Sequence, residues 1–205
     1  YLGRPAAFKH LSTETPGYFL VVVCKGSTWH ARVIDFNGAD PVYLSNTDIN
    51  SSTSWPCTTE MSSGRYVITS EEKIVLVSLV GSVVTVLSTH TTGRSDVKNV
   101  GYYKASSAIV IDAENFYMAY GDFNYPNECV VEKYNITGDT ITRVSIGNVH
   151  NGFSGPVTSY MKDPIRTGDF IVAKDSQATD KRQPTLDYWK EYDGATSKLM
   201  GKTAA

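Results

Sequence analysis

Long apolar runs are missing from this chain of 205 residues: the longest, Phe19 to Cys24, falls far short of the roughly 20 residues a helix needs to cross a bilayer. Cysteine is scarce as well. Cys24, Cys57 and Cys129 stand at wide, irregular spacings with no Cys-x-x-Cys pair, which excludes a zinc finger or ribbon. They are expected to be buried thiols, with a Cys24 to Cys57 bridge as the alternative. A surplus of positive charge is also lacking, since 19 Lys and Arg face 21 Asp and Glu for a net charge of −2. The electrostatic footprint of a nucleic-acid binder is therefore absent. No phosphate-cradling glycine loop and no dinucleotide fingerprint occur, so no cofactor is expected, and no metal. Helical periodicity is absent too. Only Lys190 to Lys202 offers helix formers, and its Asp193-Gly194 breaks them. The opening Tyr1-Leu2-Gly3-Arg4-Pro5 has no Met and no basic stretch before an apolar core. It reads as a processed or trimmed start without a signal peptide.

What is present is a recurring hairpin. Aligned on a turn glycine, four copies run Val33 to Asp40, Leu76 to Val83, Tyr134 to Thr142, and Trp189 to Thr196, with Gly38, Gly81, Gly138 and Gly194 at the turns. Two residues before each glycine stands a large apolar or aromatic residue, Phe36, Leu79, Ile136 or Tyr192, and six after it Leu44, Leu87, Val144 or Met200. Asn37-Gly38 and Asp193-Gly194 are dipeptides that reach positive φ at little cost, as a two-residue hairpin turn demands. Upstream of each hairpin lies a run of β-branched and aromatic residues: Tyr18 to Val23, Arg65 to Thr69, Phe116 to Tyr120, and Phe170 to Ala173. Such composition suits strands packed on both faces.

Two correlated features per unit, at intervals close to the 40 to 50 residues of a four-stranded blade, make the chain resemble a β-propeller repeat protein. No propeller signature is complete. Gly26-Ser27-Thr28-Trp29 keeps part of a sialidase box, with Cys24 and Val22 where Asp and Ser are expected. The resemblance implies an all-β fold of propeller-like antiparallel hairpins, with a β-sandwich or meander as the alternative. It divides the chain into an N-terminal arm at 1–16, a repeat domain at 17–201 with units at 17–63, 64–105, 106–167 and 168–201, and a tail at 202–205. Ser45 to Ser63 reads as a long polar loop, as does Thr89 to Asn99, and Asn50-Ser51-Ser52 and Asn135-Ile136-Thr137 are sequons. Four units make the smallest closed ring; the alternative is an arc completed by further chain or by another subunit.

Motifs for chemistry are incomplete. Gly152-Phe153-Ser154-Gly155-Pro156 resembles the nucleophile loop of chymotrypsin-like proteases, in which glycines let amides form an oxyanion hole. Its base is missing, because His10, His30 and His90 lack the required context. Asp112, Glu114, Asp122 and Glu128 gather in sequence, and paired carboxylates are what a glycosidase needs. The loops instead offer aromatic contacts: Trp55 in Ser45 to Ser63, and Phe123, Asn124 and Tyr125 in Gly121 to Glu128. Rings on loops of a rigid scaffold give large contact area at small entropic cost. We therefore expect a non-enzymatic structural or binding module, with no catalytic residues, that recognises a protein subunit or a cell-surface glycan. Its style of composition resembles virion or phage-tail proteins and implies an extracellular or virion location. A propeller glycan hydrolase or lyase is the first alternative, and a serine protease using Ser154 the second.

Overall fold

The computed structural model describes the backbone at 4–10, 15–51, 56–70, 72–92, 108–122, 128–149, 157–162, 170–176, 183–189 and 199–204, and the side chains at 15–51, 56–70, 72–92, 108–118 and 132–144. Among the described residues sixteen strands form four antiparallel sheets, each from four consecutive strands. The first sheet holds β1 (Arg4–His10), β2 (Tyr18–Lys25), β3 (Thr28–Asp35) and β4 (Val42–Ser51), in that spatial order. The second holds β5 (Cys57–Ser62), β6 (Arg65–Thr69), β7 (Lys73–Val80) and β8 (Val83–Thr91). The third holds β9 (Ala108–Val110), β10 (Asn115–Asp122), β11 (Glu128–Thr137) and β12 (Thr140–Val149). The fourth holds β13 (Val157–Lys162), β14 (Phe170–Ser176), β15 (Gln183–Trp189) and β16 (Leu199–Ala204).

The first strands of the sheets neighbour one another, β1 against β5, β5 against β9, and β9 against β13; along the outside β4 meets β8 and β8 meets β12. This is the propeller-like, all-β arrangement that the repeats imply. The recurring hairpins are the outer two strands of each sheet, and the apolar runs before them are the second strands, β2, β6, β10 and β14. Residues 4–10 of the N-terminal arm pair with β2.

Binary pattern explains why the sheets stack. In β7, Lys-Ile-Val-Leu-Val-Ser-Leu-Val is apolar at nearly every position, as a strand covered on both faces must be. Val75, Val77 and Leu79 join Tyr66, Ile68, Leu20, Val22, Trp29, Ala31 and Val33 in one core between the first and second sheets. Ile74 and Leu76 point the other way, with Val67, Phe116, Met118, Tyr134, Ile136 and Ile141, into a core between the second and third. Val21, Val23 and Ile34, with Phe19 against them, form a separate apolar group on the opposite face of the first sheet.

The repeat is also visible in the backbone. The residue two before each turn glycine donates its amide to the carbonyl that opens the second strand: Phe36 to Gly17 at 2.9 Å, Leu79 to Gly64 at 2.7 Å, and Ile136 to Glu114 at 2.7 Å. Leu79 and Ile136 are buried, whereas Phe36 is 44% exposed and stacks edge-on against Phe19. Six residues after the glycine, Leu44 and Leu87 pack on the cores, but Val144 is 56% exposed. Tyr192, Gly194 and Met200 fall where side chains are not described.

Three local expectations change. Asn37-Gly38 is not a two-residue turn: Phe36 to Pro41 connect β3 to β4, and Gly38 is not among the glycines at positive φ. Asp35 accepts the Asn37 amide instead, and the Asn37 side chain donates to the Pro16 carbonyl, so side-chain hydrogen bonds shape this connection. Ser45 to Ser63 is not a long loop either, because β4 runs to Ser51 and β5 begins at Cys57. Its β4 part is polar because an outer strand keeps one face in water, with Ile49 as its buried contact; Met61 of β5 is buried in the second core. For the same reason Thr89 to Thr91 belong to β8 rather than to a loop.

Gly81 and Gly138 do form tight turns, at φ 58° and 60°. Gly64, at φ 70°, is more constrained, since a Cβ there would lie 2.8 Å from the Leu79 carbonyl oxygen, while one at Gly81 meets nothing within 4 Å. Gly64→Ala is expected to cost about 3 kcal/mol and Gly81→Ala about 1 kcal/mol. Urea unfolding midpoints of the two variants would check the order.

Candidate functional site

Each sheet has two ends. The turn glycines 38, 81 and 138 mark one, together with the β1–β2, β5–β6 and β9–β10 connections. At the other end β2 turns into β3, β4 leads to β5, β6 to β7, β8 to β9, and β10 to β11. Trp55, Phe123, Asn124 and Tyr125 lie outside the described residues. At this second end β4 finishes at Ser51, opposite Thr28, and β10 finishes at Asp122, opposite Glu128.

The attachments of the first connection are well held. Lys73 Nζ donates to the Ser51 carbonyl at 2.8 Å and to Asn50 Oδ1 at 3.2 Å, fastening the end of β4 to the second sheet. Pro56, where the chain re-enters, is buried. Beside it Ser70 Oγ accepts the Lys73 amide at 3.1 Å, and Thr92 donates its amide to the Glu72 carbonyl at 3.0 Å, tying the neighbouring connection of the second sheet.

The four carboxylates do not converge. Asp112 and Glu114 sit in the β9–β10 connection at the turn end; Asp122 and Glu128 are register partners at the far ends of β10 and β11. Eight residues of strand, roughly 25 Å, separate the two pairs. Asp112 is spent on its own turn: its Oδ1 accepts the amides of Glu114 and Asn115, both at 2.8 Å. Burial alone would raise its pKa, but these hydrogen bonds, with the Asn115 side chain and the Lys133 charge, hold it below the usual carboxylate range.

Of the histidines, His30 pairs with Asp48 across β3 and β4. His90 lies edge-on to the Tyr134 ring at 5.5 Å between centroids. Burial lowers its pKa, and the Arg143 charge lowers it further against the opposing pull of Glu132 and the Ile141 backbone. Ser154 and the side chain of His10 are not described. Asn50 is half-buried in β4 rather than in an exposed loop, and the amide nitrogen that would carry a glycan is buried with no hydrogen-bond partner among the described residues. Asn135 donates its amide to Asn115 at 3.0 Å. Cys24 and Cys57 are half-buried thiols; burial raises the pKa of Cys24, whose Sγ donates to the Gly26 carbonyl at 3.6 Å. Cys129 has no described side chain.

The sequence reading missed one constellation. Glu132 is fully buried in β11; Tyr134 donates its hydroxyl to Oε2 at 2.5 Å, and Arg143 of β12 reaches Oε1 at 3.3 Å. The same guanidinium nitrogen bonds the Thr92 carbonyl of the second sheet at 3.3 Å, so the group bridges two sheets. A signal was available, because Glu132 shares strand parity with Tyr134 and Ile136 and is therefore a charge at a core position. With both carboxylate oxygens engaged, the arrangement is a clamp rather than a proton-transfer site. Among the described residues no group of three or more His, Cys, Asp or Glu is placed to hold a metal ion, and no helix is long and apolar enough to cross a membrane.

No protein-family model matches the chain, and no curated sequence matches it. Among solved structures it is similar to Sqt1 of Saccharomyces cerevisiae, at 12% identity and a TM-score of 0.61, over 98% of this chain and 48% of that one. It is also similar to a provisionally named 6-phosphogluconolactonase of Bacteroides uniformis, at 11% identity and a TM-score of 0.71, over 99% of this chain and 55% of that one. The chain thus spans about half the length of these solved chains. At such identities the likeness is one of fold: a β-rich, propeller-like arrangement of four-stranded sheets.

Proposed function

We propose that the chain is a non-enzymatic binding and assembly module, an arc of propeller-like sheets that presents ligand-contacting aromatics at one end. What supports this reading is the sheet end opposite the glycine turns, where Lys73 holds the end of β4 and where β10 and β11 end on the paired residues Asp122 and Glu128; the candidate aromatics follow β4 and β10 in sequence. A rigid sheet end that holds such connections suits recognition without chemistry, because preorganised rings lose little entropy on contact. Trp55, Phe123 and Tyr125 would pack on a protein surface or a sugar ring, with Asn124 supplying hydrogen bonds. The narrower reading is a structural component of a virion or phage tail, acting outside the cell, and it rests on composition.

Phe123→Ala combined with Tyr125→Ala is expected to weaken binding to a glycan array or a host-cell surface about tenfold or more, with the melting temperature nearly unchanged. A large fall in melting temperature would assign the rings to the core instead. The enzyme reading has one observation in its favour, the cross-strand pairing of Asp122 with Glu128. Turnover on a panel of glycans and a sugar lactone, abolished by Asp122→Asn or Glu128→Gln, would establish it and overturn the binding module.

A further inference from the structure

His90 of β8 is half-buried at the joint between the second and third sheets. Its register partner on β7 is Ile74, a residue of the core those sheets share, so the ring is carried on the face that meets the third sheet. There it lies edge-on to Tyr134 of β11, at 5.5 Å between centroids, and forms a hydrogen bond with the Ile141 backbone of β12. Tyr134 and Arg143 are register partners on β11 and β12, and both are bonded to the buried Glu132. Two residues beyond His90, the Thr92 carbonyl accepts from the same guanidinium at 3.3 Å. The charged groups that act on the ring are thus Arg143 from β12 and Glu132 from β11. Other charges on strands packed against this joint are engaged elsewhere. Lys73 of β7 reaches Asn50 and Ser51, Asp48 of β4 pairs with His30, Arg32 of β3 bonds Asn46, and Lys133 of β11 lies over Tyr117.

We propose that His90 makes this joint acid-sensitive: the second and third sheets hold together while its ring is neutral, and loosen at β8 and β12 when it takes up a proton. A neutral imidazole meets both demands of the place, a hydrogen bond to the Ile141 backbone and an uncharged face for Tyr134. Protonation would set a second cation beside Arg143 where water is partly excluded, and both burial and a like charge disfavour the charged form. The nearby anion, Glu132, is already shared between Arg143 and Tyr134, so it offsets only part of that cost. Burial first and the Arg143 charge second outweigh Glu132 and the Ile141 backbone, and hold the His90 pKa below its ordinary 6.5. The unfolded chain therefore takes up this proton first as pH falls. Stability from this site is complete above about pH 7 and declines as pH drops through the ordinary histidine range toward the folded pKa.

Urea unfolding of the parent at about pH 7.5 and about pH 5.5, a window in which histidine changes charge while ordinary carboxylates stay ionised, is expected to show the lower midpoint in acid. His90→Phe keeps a ring against Tyr134 without the titrating group and should lose most of this acid dependence; circular dichroism would verify its fold. Arg143→Gln leaves the two influences that favour the charged ring, Glu132 and the Ile141 backbone, and should also shrink the loss when the variant is compared with itself at the two pH values. Amide exchange, corrected for its intrinsic pH dependence, is expected to quicken in acid at β8 and β12 more than at β2 and β3. A His90→Phe variant as acid-sensitive as the parent, or exchange that quickens equally in β2 and β3, would overturn the proposal. So would a magnetic-resonance titration of His90 in the parent with a pKa at or above 6.5, a measurement that needs no variant to fold.

Discussion

Trp29→Ala is expected to destabilise the protein by about 4 kcal/mol, within the range found for removing a large buried ring. Trp29 is fully buried among the side chains that join the first and second sheets. Its neighbours there come from β2, β3, β6 and β7, strands already committed to their own ladders, so the space left by the indole cannot close by a small shift of one strand. Protein interiors are packed like organic crystals, and a void of this size forfeits dispersion contacts around its lining. For a chain of this length the expected fall in melting temperature is roughly 10 °C. Calorimetry would test it, with Trp29→Phe as the volume-retaining control expected to lose less. A shift of only a degree or two for the alanine variant would mean that the first two sheets do not share this core.

Arg143→Ala is the second large effect, expected to cost about 3 kcal/mol. Removing one partner of a buried ion pair is strongly destabilising, and Glu132 in the core would keep the Tyr134 hydroxyl but lose the charge of Arg143. The Thr92 carbonyl would lose the same donor, loosening the second sheet from the third. Solvent moderates the loss, because the Arg143 side chain is 38% exposed. The decisive comparison is Arg143→Leu with Glu132→Leu and Tyr134→Phe together. Replacing Glu132, Tyr134 and Arg143 together by apolar residues removes the buried charge and hydroxyl, leaving only the Thr92 carbonyl without this donor, and should bring stability back to within about 1 kcal/mol of the parent. Chemical denaturation of the single and triple variants separates the outcomes. If the single variant unfolds at the parent's urea concentration, the clamp contributes nothing; if the triple variant is as weak as the single one, packing rather than charge satisfaction governs the site.

Much of the architecture is legible in strand periodicity. The alternation around Gly81 and Gly138 locates two tight hairpins, and the uninterrupted apolar runs of β2 and β7 mark strands covered on both faces. The polar stretch from Ser45 to Ser51 misleads, because Ser, Thr and Asn are turn formers locally yet tolerable on an outer strand whose partner supplies the ladder. Asn37-Gly38 misleads for a related reason: the dipeptide permits a two-residue turn, but the side chains of Asp35 and Asn37 stabilise a longer one. Glu132 escaped because carboxylates are ordinarily assigned to solvent, and only the arrival of Arg143 from the next strand makes its burial tolerable. The candidate aromatics are residue types read from the sequence alone, and they lie outside the described residues.

By itself, then, the sequence determined the all-β class and the hairpin repeat, since period-two patterning and turn glycines act over a few residues. Only the tertiary structure decided which strands stand outermost in each sheet, that Asp112 and Glu114 lie a strand's length from Asp122 and Glu128, and that Arg143 ties the second sheet to the third. Those are relations between residues tens of positions apart, set by register and by the stacking of sheets, and no local pattern encodes the distance between them.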